Sequence, residues 1–380
     1  MSIRNNNLGS IVKPGFNALG AQTNVTTYTY ELWSWGQNDV GQLGLGDTVN
    51  RSSPVQVGAL TTWSNLGSGY YHRLATKTDG TLWAWGSGSS GKLGLGNITY
   101  YSSPKQVGAL TTWLNVAGGY GHSIATKTDG TLWAWGRNNL GQLGLGNITY
   151  YSSPKQVGAL TTWSKVTCGG SFTLAIKTDG TLWSWGFNTN GALGLGNATN
   201  YSSPMQVGAL TTWYNLAAGA GFSIATKTNG TLWTWGFNSS GQLGDGTTTT
   251  RSTPVQVGAL TTWYKIGVGS SNAFSIVTKT DGTLWTWGSG SNGKLGLGNT
   301  TDYSSPKQVG ALTTWSNIAS NITMCVATTT SGALWSWGDN TLGQLGLGNT
   351  TAYSSPKQVG VLTTWGLAAG AANSTIALKY

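Results

Sequence analysis

The run Trp-x-Trp-Gly begins at Trp33, Trp83, Trp133, Trp183, Trp233, Trp285 and Trp335, and this spacing of about fifty residues constrains the fold more than anything else in the chain. Each copy is followed by Gly-x-Leu-Gly, then Ser-Ser/Thr-Pro, then Thr-Thr-Trp, so the unit is marked at four places. Units this alike must fold alike. One so short cannot bury its own apolar face, so its neighbours have to cover it. A length of 380 residues would otherwise suggest two or three domains; it reads instead as one repeat array over residues 31–380 behind a polar leader at 1–30.

Within a unit, TLWAWG (81–86) alternates so that Trp83 and Trp85 share a face, as suits a strand packed against a neighbouring sheet. Further strands are expected at PVQV from Pro54, after Trp63, and at HRLATKT before Asp79-Gly80, a strong hairpin dipeptide. Gly44 and Gly46, with their counterparts, supply backbone conformations closed to other residues or let sheets approach. No Lys-Ser/Thr follows them, so they do not read as a phosphate loop. Four strands in about fifty residues make a propeller blade. The two ends complete each other. The first unit opens at TYELWSWG without a preceding KTDG hairpin partner, while the chain stops at STIALKY, which aligns with the strand before that hairpin. The expectation is an all-β, seven-bladed β-propeller with four-stranded blades, closed by pairing residues 374–379 with 28–36.

These motifs, Trp-x-Trp-Gly, Gly-Gln-Leu-Gly-x-Gly, Pro and the Lys-x-Asp-Gly turn, resemble the regulator of chromosome condensation repeat over residues 31–380. The resemblance implies a seven-bladed propeller. The family's founding member exchanges nucleotide on a small GTPase at chromatin, using a wedge-like insertion and a basic N-terminal tail. This leader carries only Arg4 and Lys13, and the sole change of period is two extra residues within 269–274. The resemblance therefore extends to architecture and not to the exchange apparatus.

Composition narrows the function classes. Gly-rich chains with 8% charged residues are usually disordered, but 21 Trp supply the apolar area that offsets chain entropy. The excess of 20 basic over 10 acidic residues could suit an anionic partner. Its distribution argues against nucleic acid: Lys77, Lys127, Lys177, Lys227 and Lys279 share one repeat position and Lys105, Lys155, Lys307 and Lys357 another, which reads as solvated decoration around a ring. Cys168 and Cys325 match no zinc or redox spacing and are expected as small buried residues. Two His, a single Glu31 and Asp confined largely to turns offer no triad, carboxylate pair or metal cluster. The expectation is no enzyme, no cofactor and no metal. The leader shows neither a charged n-region followed by a long apolar run nor a stretch able to span a bilayer, so neither export by a signal peptide nor membrane insertion is expected.

Strand alternation puts the excursion after TLWAWG and the loop before HRLATKT on one face, and GALTT and KTDG on the other. The copies differ mainly on the first: the segments after Trp-Gly read QNDV, SGSS, RNNL, FNTN, FNSS, SGSN and DNTL. Arg51, Tyr101, Tyr151, Tyr201, Arg251, Tyr303 and Tyr353 precede Ser-Ser/Thr-Pro, Tyr100 and Tyr150 stand beside two of them, and Tyr70, Tyr71, His72, Tyr120 and His122 come from the third loop. Such residues make an adaptable contact surface for a host protein or glycan. Equally, loops drift where little is demanded of them, and Arg or Tyr before the Pro can simply brace the turn. Low charge, abundant Gly, Thr, Ser and Asn, and near-identical copies resemble phage virion proteins. On that basis the chain is expected as a decoration or tail-associated adhesion component, anchored to capsid or tail subunits through residues 1–30. The alternative is an intracellular, cytoplasmic protein-interaction propeller of the chromosome-condensation-regulator type, acting in GTPase exchange or chromatin binding.

Overall fold

A computed structural model describes residues 30–269 and 274–380; all but the last residue of the leader expected at 1–30, and part of the two-residue expansion, lie outside the described residues. Seven antiparallel sheets of four strands each are present. In the first, the order from the channel outward is Trp63–Ser68, His72–Lys77, Leu82–Gly86 and Tyr101–Gln106. Five sheets repeat this plan. The innermost strands pack side by side around the ring, and Trp365–Ala371 meets Trp63–Ser68 to close it. Along the channel wall, Asn65 Nδ2 donates to Leu114 O at 2.9 Å, Asn115 to Ser164 O at 3.1 Å and Lys165 Nζ to Tyr214 O at 2.7 Å, tying blade to blade.

The seventh sheet is composite. Trp365–Ala371 and Ser374–Lys379 come from the C-terminus, Glu31–Gly36 and Arg51–Gln56 from the N-terminal end, and Glu31 pairs with Lys379 through to Gly36 with Ser374. The expected latch is thus present. Arg73 reinforces it, because this wholly buried guanidinium reaches from the first blade to Ser374 Oγ and to the carbonyl of His72.

Each of the seven repeats contributes three tryptophans that meet as one group. Trp63 sits edge-on to Trp83 and tilted against Trp85, with both centroids 6.1 Å away. Trp85 is fully buried, and its indole N–H crosses to the neighbouring blade to donate to Gln42 O at 3.1 Å. Gly44 makes room for it: a Cβ there would lie 2.7 Å from Trp85 Nε1, and its φ of +77° already favours glycine. The contact recurs around the ring, ending with Trp35 on Gln344 O at 2.9 Å. Burying each indole contributes about 3 kcal/mol and its hydrogen bond about 1 more.

Two expectations change. The outer strand begins at Arg51, three residues before PVQV, with Pro54 on the sheet edge, where a missing N–H leaves no neighbour unpaired. One of the two sets of repeating lysines is not solvated decoration: Lys77, Lys127, Lys177 and Lys227 are buried, each with Nζ lying 3.5–3.7 Å from a Trp ring centroid, whereas Lys105, Lys155, Lys307 and Lys357 of the other set are exposed, as expected. The four-carbon stem covers indole surface while the ammonium meets the ring's negative face. Truncation after Asn373 removes the C-terminal latch strand; we expect the melting temperature to fall by at least about 10 °C. An unchanged melt would show that the ring does not depend on the latch.

Candidate functional site

The antiparallel order places the short loops at 69–71 and the Trp-Gly excursions at one end of the strands, and the GALTT connections and Asp-Gly turns at the other. The first, variable face carries the aromatic residues singled out above.

At its centre Tyr70, Tyr71 and Tyr120 form one cluster. Tyr70 stands perpendicular to Tyr71 at 4.4 Å and nearly so to Tyr120 at 4.9 Å. Backbone hydrogen bonds position them: Tyr70 N donates to Gly119 O at 3.1 Å and Tyr120 N to Gly170 O at 3.0 Å, so each loop leans on the next. Burial, with Tyr70 alongside, pushes the Tyr71 hydroxyl above its ordinary pKa, leaving it a neutral donor. The channel mouth beside them holds a cavity of only about 30 Å³, room for water and not for a small-molecule ligand. What the cluster offers is therefore a surface.

Farther out, Tyr100 and Tyr150 are half exposed. Their neighbours do something else. Tyr101, Tyr151, Tyr201 and Tyr303 open the outer strands, and their hydroxyls accept from Asn97, Asn147, Asn197 and Asn299 at 3.2–3.3 Å. Tyr353 opens its outer strand in the same position, with Lys357 Nζ 5.3 Å from its ring. Arg51 pairs with Asp47 at 2.5 Å and Arg251 with Asp245 at 3.0 Å in the same setting. Hydrogen bonds from the Val49 N–H and Arg51 hold the Asp47 carboxyl below its usual range. Six of these seven residues, all but Tyr353, brace the excursion, and the contact surface they leave is the tips, Tyr100 and Tyr150 among them.

His72 and His122 do not join the face, and this corrects their expected place. Both are wholly buried between blades. His72 Nε2 lies 2.8 Å from Ser123 Oγ, which donates onward to Lys92 O at 2.7 Å, so the imidazole is the donor in the first bond. His122 repeats the chain through Thr173 Oγ1 at 3.2 Å and Gln142 O at 2.9 Å. Burial keeps His72 well below its ordinary pKa and lowers His122 to about 4. Lys92, Arg73 and His122 add repulsion at His72. Lys92 and Lys294 replace the usual Gln of Gly-Gln-Leu-Gly and are themselves buried, with pKa lowered to about 8 by desolvation. Sequence reading passed over these two; the signal was the Lys in GKLG where most copies hold Gln. Cys168 and Cys325 are buried free thiols, as expected. No group of three metal-ligating side chains comes together among the described residues.

The regulator of chromosome condensation (RCC1) repeat model matches residues 31–76, 79–126, 129–176, 179–226, 229–276, 281–326 and 331–378. The chain belongs to this family. A second model of the same description matches 113–142, 163–192 and 214–242 within this RCC1-repeat propeller. Among solved structures, human WBSCR16 is 23% identical over 92% of this chain and 98% of its own, with a TM-score of 0.82. Yeast RCC1 (Prp20), in its complex with Kap60, is 17% identical over 97% and 96%, with a TM-score of 0.83. Prp20p from Saccharomyces cerevisiae, in the structure that also describes its binding to Gsp1p and histones, is 18% identical over 93% and 92%, with a TM-score of 0.80. At these identities the likeness shows the fold. No curated protein matches the chain.

The two buried imidazoles make the ring acid-labile. In the unfolded chain a His binds its proton near pH 6.5, whereas in the folded ring it stays neutral to about pH 4 at His122 and also far down at His72. Stability is thus full above pH 6.5 and falls as pH drops below it, by on the order of 2 kcal/mol at pH 5 for His122 and in the same direction for His72. The corresponding positions in other repeats hold Phe172, Phe222 and Phe274. A His72→Phe/His122→Phe variant should flatten a fall of about 5 °C in melting temperature between pH 7 and pH 5. An unaltered slope would place the acid sensitivity elsewhere.

Proposed function

We propose that the chain is a non-catalytic protein-interaction propeller of the RCC1 type, whose partner docks on the variable face around Tyr70, Tyr71 and Tyr120 and the excursion tips at Tyr100 and Tyr150. The observation that supports this most directly is that copy-to-copy variation gathers at one end of a rigid ring, where the Tyr70–Tyr71–Tyr120 cluster and the half-exposed Tyr100 and Tyr150 also lie. Tyr offers contact area at little entropy cost, and the Asn, Ser and Gly of the excursions offer adaptable hydrogen bonds. Prp20p's binding to Gsp1p and histones suggests the class of partner. A formal charge of +10 favours the less basic of these, so the reading favours a small GTPase over a histone. Binding here does not by itself entail nucleotide exchange.

Titration of a Gsp1p-type GTPase and of core histones onto the immobilised full chain tests the reading. Expected is micromolar binding of the GTPase, weakened at least about tenfold by Tyr70→Ser/Tyr120→Ser and by raised salt. Failure to bind either protein, or binding indifferent to those substitutions, would remove it. A second reading, a virion decoration or tail component with capsid or tail partners, is supported by composition and by the near-identity of the copies alone. Mass-spectrometric detection of this chain in purified particles would carry that reading instead.

A further inference from the structure

The face opposite the variable one is the more constant, and among its exposed threonines and turn residues it carries a leucine in every connection. Every blade connection there reads Gly-Ala-Leu-Thr-Thr, with Val361 replacing Ala in the last. Leu60 and its six counterparts are 43–50% exposed, and Val361 is 89% exposed. None of these leucines belongs to the apolar clusters between the blades, so core packing does not account for keeping a leucine in all seven copies. Exposed positions on the other face have drifted over the same repeats. An apolar annulus kept in this way is a surface that something covers.

The N-terminal residues are attached at that annulus. Tyr30 bridges to Thr62, two residues past Leu60, and its ring stands edge-on to Tyr380 at 6.2 Å. Tyr380 N in turn donates to Thr364 O at 3.0 Å, two residues past Leu362. The chain therefore joins the ring between two of the seven leucine-bearing connections. Beside this point lies an apolar groove of about 390 Å³, with Trp33, Pro54, Leu347, Leu362 and Trp365 in its lining. Val361, in the connection that also supplies Leu362, adds apolar surface at this same corner. Residues 1–29 carry two charged side chains, Arg4 and Lys13, and a scatter of apolar ones: Leu8, Ile11, Val12, Phe16 and Leu19. Twenty-nine residues can reach roughly 95 Å when extended, more than the roughly 45 Å that four strands either side of a channel would span. Tethered at the rim, they meet the face at an effective concentration on the order of millimolar, ahead of a free partner.

We propose that residues 1–29, which lie outside the described residues, dock in cis on the leucine annulus, with apolar side chains such as Phe16 and Leu19 covering the groove beside Trp33 and Leu362. The leader is then a cover for one face of its own ring, and the variable face stays open to a partner.

Amide hydrogen exchange on the full chain tests this, read at 58–62 and 360–364. A Phe16→Asp/Leu19→Asp variant is compared with Asn5→Asp/Asn6→Asp, which adds the same charge at polar leader positions. Both leave every described strand intact. Expected is an exchange rate at these connections at least tenfold faster in the first variant and unchanged in the second, at all protein concentrations. Equal rates in wild type and the Phe16/Leu19 variant overturn the proposal. Protection that rises with protein concentration overturns it in favour of a second copy on this face. Flotation of the wild-type chain with phosphatidylserine-containing vesicles, lost on Leu362→Asp, overturns it in favour of a lipid surface.

Discussion

The structure depends on one contact repeated around a circle: a buried indole laid across the gap between blades onto the Gly-x-Leu-Gly backbone of its neighbour. Trp85 supplies the ring and the donor, Gln42 the carbonyl, and Gly44 the space. Neither half is stable without the other. A Cβ at Gly44 would push into the indole, and an indole without its carbonyl would leave a polar N–H stranded in apolar surroundings. Because donor and acceptor belong to different repeats, each unit is completed only by the one before it. Trp35 on Gln344 applies the same rule across the seam and turns a stack into a closed ring.

That dependence explains how charge is used. Nine-tenths-buried lysines lie over half-buried tryptophans, and Arg73 spans the seam to Ser374. A chain with a formal charge of +10 thus spends part of its basicity as packing material, where the hydrocarbon stem matters as much as the charge. The two histidines are also structural: they fill the places that Phe172, Phe222 and Phe274 fill elsewhere, and their neutral rings belong to hydrogen-bonded chains ending on Lys92 O and Gln142 O.

The two ends of the ring have divergent characters for a physical reason. The excursions are fixed at their bases by Tyr101–Asn97 and Arg51–Asp47, which frees their tips to vary, and the loop at 69–71 leans on the next through Tyr70 N and Gly119 O. The opposite connections are held in conformation by their neighbours. Thr111 O stands where a Cβ of Gly80 would be, and Trp113 N donates to Gly80 O, so turn and connection constrain each other at each of the six hairpin turns. Their exposed leucines escape that constraint, and their retention is what sets this face apart.

The repeat count, the strand order within a blade and the closure by terminal strands were all legible in the residues, because period, alternation and hairpin dipeptides are local and the missing halves at the two ends are complementary. The binding face was legible only in part. Its loops could be assigned to one side by strand parity, but no local signal separates Tyr100, which reaches solvent, from Tyr101, which turns back to Asn97. Nor does one distinguish Tyr71 from the adjacent His72, which alternation carries into the gap between blades. Two sets of lysines spaced evenly around a ring look alike as decoration until the third dimension lays the set at Lys77 on tryptophan and leaves the set at Lys105 in solvent. Periodicity alone determined what this chain builds. Which side chains face water was decided by the approach of one blade to the next, since burial depends on a neighbour about fifty residues away and not on the adjoining sequence.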